Sequence, residues 1–179
     1  MGLYKPETLA FVSYLNANRA VASQIRAARD KTLLYAGSFG SGIGARPMWR
    51  DIALQKRTNP ELRDKEMLPD VLARIRAPGT KYASLLEYLQ DVESKVPWDP
   101  DGFKLWRVVS GIFAANATGK VSFQIGSGVK PSEKVFAATE IRALMRNPNI
   151  DPVAKDLLAY YERCAANGVP DMNVGFVST

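Results

Sequence analysis

The sequence predicts an α/β fold, an N-terminal helical part joined to a small, mostly parallel sheet of about four strands flanked by helices. Three observations lead there. Short apolar runs such as "KTLLYAG" and "KVSFQIG", each closed by a glycine, have the length and composition of buried strands. In the second half such runs alternate with segments of helical period, the order that builds parallel sheets through crossovers, while the first half is mainly helical. The third observation is size. A chain of 179 residues, 46% of them hydrophobic and 23% charged, suffices for one core, so residues 1–179 read as a single domain. The helical part is expected at about 1–30 and 47–100, and the sheet part at about 31–46 and 101–179.

Residues 7–30 place Phe11, Leu15, Ala22 and Ile25 on one face, with Arg26 and Arg29 near the end where the helix dipole favours cations, so one amphipathic helix is expected. "KTLLYAG" is then a buried strand stopping at Gly37, "GSFGSGIGAR" a loop, and Pro47 the opening of the next helix. From 58 to 100 a polar helical pattern breaks at Pro60, Pro69, Pro78-Gly79 and Pro97 to Pro100, which predicts short helices and no sheet. "DGFKLWRVVSGIFAANATGK" sets Phe103, Trp106, Ser110, Phe113 and Ala117 on one helical face, behind Asp101 as N-cap and ahead of Gly119. "KVSFQIG" and "KVFAATEI" read as two strands joined by the turn-like "SGVKPSE". Asp151-Pro152 starts a helix whose buried face is expected at Val153, Leu157, Tyr161 and Cys164 and which ends at Gly168, and "NVGFV" is a last strand.

The chain has no histidine and one cysteine, Cys164. That removes Ser-His-Asp triads, Cys-His dyads, histidine-containing zinc sites and internal disulfides. Catalysis then falls to carboxylates, hydroxyls, aromatics, Lys, Arg and backbone amides, and no metal is expected. The 24 Lys+Arg against 18 Asp+Glu leave a net charge of +6, which suits an anionic partner: a nucleotide, a nucleic acid or an acidic protein. No apolar run approaches the roughly 18 residues of a membrane span, so no membrane association is expected. No targeting segment is read, and Pro6 stands where a myristoylation signal needs Ser or Thr.

Three constellations carry chemistry. Gly37, Gly40, Gly42 and Gly44, beside Arg46, lie between strand and helix, where backbone N–H groups and a helix start can hold phosphate, although a plain connector has the same composition. Trp106 and Ser110 share a helical face, where a tryptophan is ordinarily core and a buried hydroxyl needs a partner. Glu140 ends the apolar run "KVFAATE", and ligands of open α/β sheets bind outside the carboxyl ends of strands, where a solvated carboxylate is equally at home.

The run "LWRVVSGIFAANATGKVSF" resembles the Trp-x-x-x-Ser-x-x-Phe-Ala helix and following strand of the ADP-ribosyl cyclase / NAD glycohydrolase family, through Trp106, Ser110, Phe113, Ala114, Ala117 and Val121 without a gap. "VFAATEIRAL" supplies Phe136 four residues before Glu140, the family's spacing to its catalytic glutamate. "KTLLYAGS" is similar to the family's strand at the active-site mouth, with Tyr35, Gly37 and Ser38. The likeness is close over 101–145 and loose over 30–145. Tyr35 stands where the animal enzymes have Trp, and Thr118 where a cysteine is expected, so this would be a disulfide-free member.

The resemblance implies cleavage of the nicotinamide–ribose bond of NAD, giving ADP-ribose, cyclic ADP-ribose or both, with NAD as substrate and no separate cofactor. It implies Glu140, Trp106 and Ser110 as catalytic residues. Tyr35, Phe136, Gly37, Ser38, Arg46 and Asp70 would bind substrate, Asp70 as the second site acid with Glu66 as the alternative. Disulfide-free members include toxin domains, which act in or are delivered into a cytoplasm and need a neutralising partner protein. Two other readings stand beside this one: a basic nucleic-acid-binding module, and a non-catalytic nucleotide-binding protein on the same fold.

Overall fold

The computed structural model describes residues 2–36, 38–39, 46–125, 139–166 and 174–178. Helix α1 (Pro6–Ala17) buries Phe11 and Leu15 but ends well short of residue 30. Asn18 stops it, because its backbone N–H and its Nδ2 both donate to the Tyr14 carbonyl, at 2.9 and 2.8 Å. A short α2 (Arg19–Ala22) follows, and Val21 and Ile25 are buried while Ala22 is half-buried.

Strand β1 (Thr32–Ala36) lies where the sequence places it. The ends of the glycine-rich segment form a two-residue antiparallel ladder, β2 (Ser38–Phe39) on β3 (Arg46–Pro47), and α3 (Met48–Gln55) starts directly after Pro47. Then come α4 (Pro60–Arg63), α5 (Leu68–Arg74) and α6 (Leu85–Lys95). Pro60 and Pro69 sit in the first turns of α4 and α5, where a missing N–H costs nothing, so these prolines open helices. An irregular turn, Trp98–Gly102, leads into α7 (Phe103–Ala115), and β4 (Val121–Ile125) follows. Among the described residues no helix is long and apolar enough to cross a membrane.

The second half departs from expectation in three places. Thr139 and Glu140 are helical and lead into α8 (Ile141–Arg146), so the strand expected to run to Ile141 is a helix there, and residues 126–138 lie outside those described. A short apolar run does not distinguish strand from buried helix, and Ile141 and Leu144, three apart, bury one helical face. In α9 (Pro152–Ala166) Asp151 Oδ1 caps the Val153 N–H at 3.0 Å as predicted, but Val153 is exposed and Ala154 and Leu158 are buried. The side chains of Leu157, Tyr161 and Cys164, like Gly168, fall outside the described set. Finally, β5 (Val174–Ser178) runs antiparallel on β4.

Among the described residues the main sheet therefore has the order β1-β4-β5, with one parallel and one antiparallel pair, where the sequence predicts about four mostly parallel strands. The pattern "NVGFV" carries no direction; the route of the chain after α9 sets it. Alternation along β1 sends Leu34 into the large core with Phe11, Leu72, Leu89 and Phe113, while Leu33 and Tyr35 face a smaller cluster of Ile52, Leu62 and Met67.

Gly119 ties three loops together. Its N–H donates to Asn149 O at 2.9 Å, its carbonyl accepts from Asp151 N at 2.9 Å, and next to it Lys120 N donates to Asp30 Oδ1 at 2.7 Å. The Gly119 φ is +72°, and a Cβ there would lie 2.0 Å from Asp30 Oδ1. Left-handed backbone costs a non-glycine residue roughly 1–2 kcal/mol, and displacing the Asp30 carboxylate adds roughly 1.5–3 kcal/mol. Gly119→Ala is expected to lower the denaturation midpoint by an amount equivalent to about 3 kcal/mol in a urea melt; an unchanged midpoint would show that the loops yield freely.

Candidate active site

Two pins fix α8 against α7, and they decide where Glu140 lies. At one end Asn147 is buried, and its Nδ2 donates to the carbonyls of Ala114, Ala115 and Ala117 at 3.0, 3.1 and 2.8 Å, capping the C-terminus of α7 from another element. At the other end Arg107 Nε donates to Thr139 Oγ1 at 3.1 Å, and a Cβ on Gly111 would stand 3.0 Å from Thr139 Cγ2. The glycine thus lets the chain before α8 lie close on α7.

Glu140 is 7% exposed and lies at the start of α8 rather than at a strand end. Burial pushes the carboxyl up from 4.5 to about 8, and Ser110, buried on α7, offsets part of that rise by favouring the charged form.

Tyr35, half-buried at the end of β1, has its hydroxyl pushed well above the ordinary value, first by burial and then by the charges of Glu140 and Asp70. It stays a neutral donor beside two acids. Asp70, in the first turn of α5, accepts from Met67 N and from Lys56 Nζ, both at 3.0 Å, and is partly exposed. Glu66 is occupied elsewhere. It bridges Thr32 at the opposite end of β1 and accepts from Ala28 N at 2.6 Å and from the Arg74 guanidinium. Burial works against its charge, but those bonds outweigh it and hold the carboxyl below its ordinary value. Of the two acids weighed for the second position, Asp70 acts on Tyr35 and Glu66 holds structure.

Trp106 is half-buried, one helical turn before Ser110 on the same face of α7. The fully buried stripe is Leu105, Val109 and Phe113, so the face expected from Phe103 through Trp106 is rotated, with Phe103 and Trp106 half-buried at its margin. Asp101 does not cap α7. It is buried, and its Oδ1 accepts from Lys5 N and Thr8 Oγ1, both at 2.7 Å, tying the start of α1 to the turn before α7. The Trp106 indole is held by a residue the sequence reading did not single out: its Nε1 donates to Glu93 Oε2 on α6 at 2.6 Å. No local signal marks Glu93, since it reads as one polar residue of an amphipathic helix. Asn147 was equally silent.

Tyr35 thus lies within electrostatic reach of Glu140 and Asp70, and Glu140 within reach of Ser110, while Trp106 stands one helical turn from Ser110. Gly37, Gly40, Gly42, Gly44 and Phe136 lie outside the described residues, as do the side chains of Ser38 and Arg46, whose backbones form β2 and β3. Among the described residues no three His, Cys, Asp or Glu side chains gather where they could hold a metal ion. Neither a scan against protein-family models nor searches of curated proteins and of solved structures finds a match for the chain.

Chemically, these residues are a buried carboxyl under the influence of a serine hydroxyl, a neutral tyrosine donor, and a tryptophan one helical turn from that serine. Such a set can hold ribose-like hydroxyls and oppose a positive charge.

Proposed function

We propose that the protein cleaves the nicotinamide–ribose N-glycosidic bond of NAD, releasing nicotinamide and giving ADP-ribose by water attack or cyclic ADP-ribose by attack of the adenine ring. One observation carries this reading: Glu140 is buried, and Ser110 and Tyr35 are both within its electrostatic reach. These are residues that the likeness to the ADP-ribosyl cyclase family picks out from segments far apart in the chain.

Nicotinamide leaves as a neutral molecule, so the reaction needs no strong general acid and tolerates the absence of histidine. The charge to be managed is the oxocarbenium-like ribose. Ionised Glu140 opposes that charge and accepts from the ribose hydroxyls, while Ser110 orients the carboxylate. Trp106 and Tyr35 offer aromatic faces to the cationic ring, a contact of roughly 0.5–2 kcal/mol that weakens as the ring becomes neutral. Asp70 and the Gly37 to Arg46 segment are assigned to the rest of the dinucleotide. On this reading the toxin role and its neutralising partner remain the natural extension of a disulfide-free member. Incubating the protein with NAD and separating the products tests the proposal, and intact NAD after prolonged incubation would refute it.

Glu93 supplies a second test. A hydrogen bond to a charged acceptor is worth roughly 1.5–3 kcal/mol, and its loss frees the Trp106 indole to rotate. Glu93→Ala is expected to lower kcat/KM by about 10-fold with a shift in indole fluorescence, while Glu93→Gln, which keeps an acceptor oxygen, stays near the parent. Equal losses in the two variants would show that orientation of the indole is irrelevant.

A further inference from the structure

The end of β1 opposite Tyr35, where Thr32 bridges Glu66, gathers charge of one sign. Three loops meet there through hydrogen bonds: Glu66 N donates to Lys31 O at 2.7 Å, Lys65 Nζ to Asp30 O at 3.1 Å, and Lys120 N to Asp30 Oδ1 at 2.7 Å. From the last residue of α5, Arg74 Nη2 donates to Arg26 O at 3.3 Å. A Cβ on Gly119 would stand 3.1 Å from Arg29 Cγ, so the stem of Arg29 lies across that glycine. Arg26, Arg29, Lys31, Lys65, Arg74 and Lys120 are thereby neighbours, and Arg26, Arg29, Arg74 and Lys120 are exposed. The acids among them are already used. Asp30 accepts from the Lys120 backbone, and Glu66 accepts from Ala28 N and pairs with Arg74. On the adjoining turn Arg63 and Asp64 offset each other in charge, and Asp151 caps α9. Among the described residues Arg26, Arg29, Lys31, Lys65 and Lys120 have no ion-pair partner at contact distance.

We propose that these loops bind the phosphate backbone of duplex nucleic acid without reading its sequence, a function separate from the site around Glu140. Phosphate contacts call for positioned cations and carry no sequence information. Residues 26–31, 63–66 and 118–120 include no aromatic, and none of the large exposed apolar side chains belongs to them. That composition disfavours the other anionic partners. A single strand is gripped by stacking its bases on aromatic rings, a protein interface is centred on aromatic and other apolar side chains, and a domain lying on a membrane adds buried apolar area to its charges. The outer surface of a duplex, by contrast, is a row of phosphates. The backbone that carries the cations is also fixed in advance: Asp30 has a φ of +65°, its N–H donates to Thr118 O, and Lys31 N donates to Ala28 O, both at 3.0 Å. Little ordering of these loops is left for the binding step.

The probe is a short labelled DNA duplex of mixed sequence, titrated with the full chain and followed by fluorescence anisotropy over a series of salt concentrations. With five phosphates neutralised, the logarithm of the binding constant is expected to fall against that of salt with a slope of about −4.5. Arg29→Gln combined with Lys120→Gln is expected to make that slope shallower by about 2 and to weaken binding about 10- to 100-fold at about 0.1 M salt. Both side chains are exposed, and Lys120 meets Asp30 through its backbone N–H, so the substitutions leave the loop contacts in place, as thermal melts would verify. A control variant, Lys5→Gln with Lys104→Gln, removes the same charge near the start of α7, about 20 Å along that helix from the end that adjoins the loops, and is expected to bind as the parent does. Equal weakening in the two double variants would reduce the effect to net charge and overturn the proposal. So would an absence of duplex binding at low salt, or tighter binding to a single-stranded oligonucleotide or to phosphatidylserine vesicles than to the duplex. None of these outcomes depends on NAD turnover, so the proposal stands or falls apart from the cleavage reading.

Discussion

Glu140→Gln is expected to slow nicotinamide release by about 10² to 10³, while making the folded protein more stable at neutral and higher pH. Gln keeps the shape and most of the hydrogen bonding of the acid but cannot oppose a developing cation, so the loss falls on the chemical step. The stability gain follows from linkage. In the folded protein the carboxyl titrates at about 8 and in the unfolded chain near 4.5, so between those values folding takes up a proton. Parent stability therefore falls as pH rises through this window, by roughly 1.4 kcal/mol per unit, and levels off above it. The Gln variant lacks that slope. Melting temperatures of the two proteins are expected to agree near pH 4.5 and to diverge toward pH 8, each kcal/mol being worth about 2–4 °C for a domain of this size. Parallel melting curves with near-normal turnover would return Glu140 to an ordinary surface-type carboxylate and remove the central residue of the proposed function.

Asn147→Leu is expected to cost the most stability of any substitution considered. The amide nitrogen donates to three carbonyls at the end of α7 and the amide oxygen accepts from Asn149 N at 2.8 Å, so an isosteric apolar side chain strands several buried polar groups at once. Each unsatisfied group costs roughly 1–3 kcal/mol, which sums to about 4–6 kcal/mol. Whatever fraction folds should also have a displaced Glu140, because the same bonds fix α8 on α7. Urea melts together with turnover per folded molecule measure both effects. A small loss of stability with normal turnover would mean that α8 is held by the packing of Ile141 and Leu144 alone.

The strands β1, β4 and β5 and the helices α7 and α9 were legible because apolar period, proline and glycine act locally. What escaped is set between elements. Asp151 has the composition of a cap and is one, whereas Asp101 has the same composition and serves α1, across 93 residues from Thr8. The helix expected through residue 30 ends where the Asn18 side chain competes for a carbonyl, a contest that hydrophobic periodicity does not register. Around the site, Trp106, Ser110 and Glu140 were reachable by family likeness, and Asp70 was separated from Glu66 only by which end of β1 each acid meets. Glu93 and Asn147 act through partners 13 and 30 to 33 residues away, so nothing in their own neighbourhood announces them.

Strand β1 meets β4 on one edge and the backbone of Glu66 on the other, through Leu33 N to Glu66 O at 3.0 Å and Glu66 N to Lys31 O at 2.7 Å. The two partners become available at very different moments of synthesis. The segment around Glu66 follows β1 closely, but β4 lies about 90 residues downstream, and closing so long a loop is favourable only once the intervening helices have condensed. A nascent chain on the ribosome thus carries β1 with one edge sealed and the other open, a transient hazard for pairing with neighbouring chains. Ser110 lies on the helix just before β4 and Glu140 15 residues after its end, so the two flank the strand that closes that edge. The strand that closes the β1 edge thus sits in the chain between the helix that carries Ser110 and the helix that follows Glu140, so closing the sheet also draws the two halves of the proposed site toward each other.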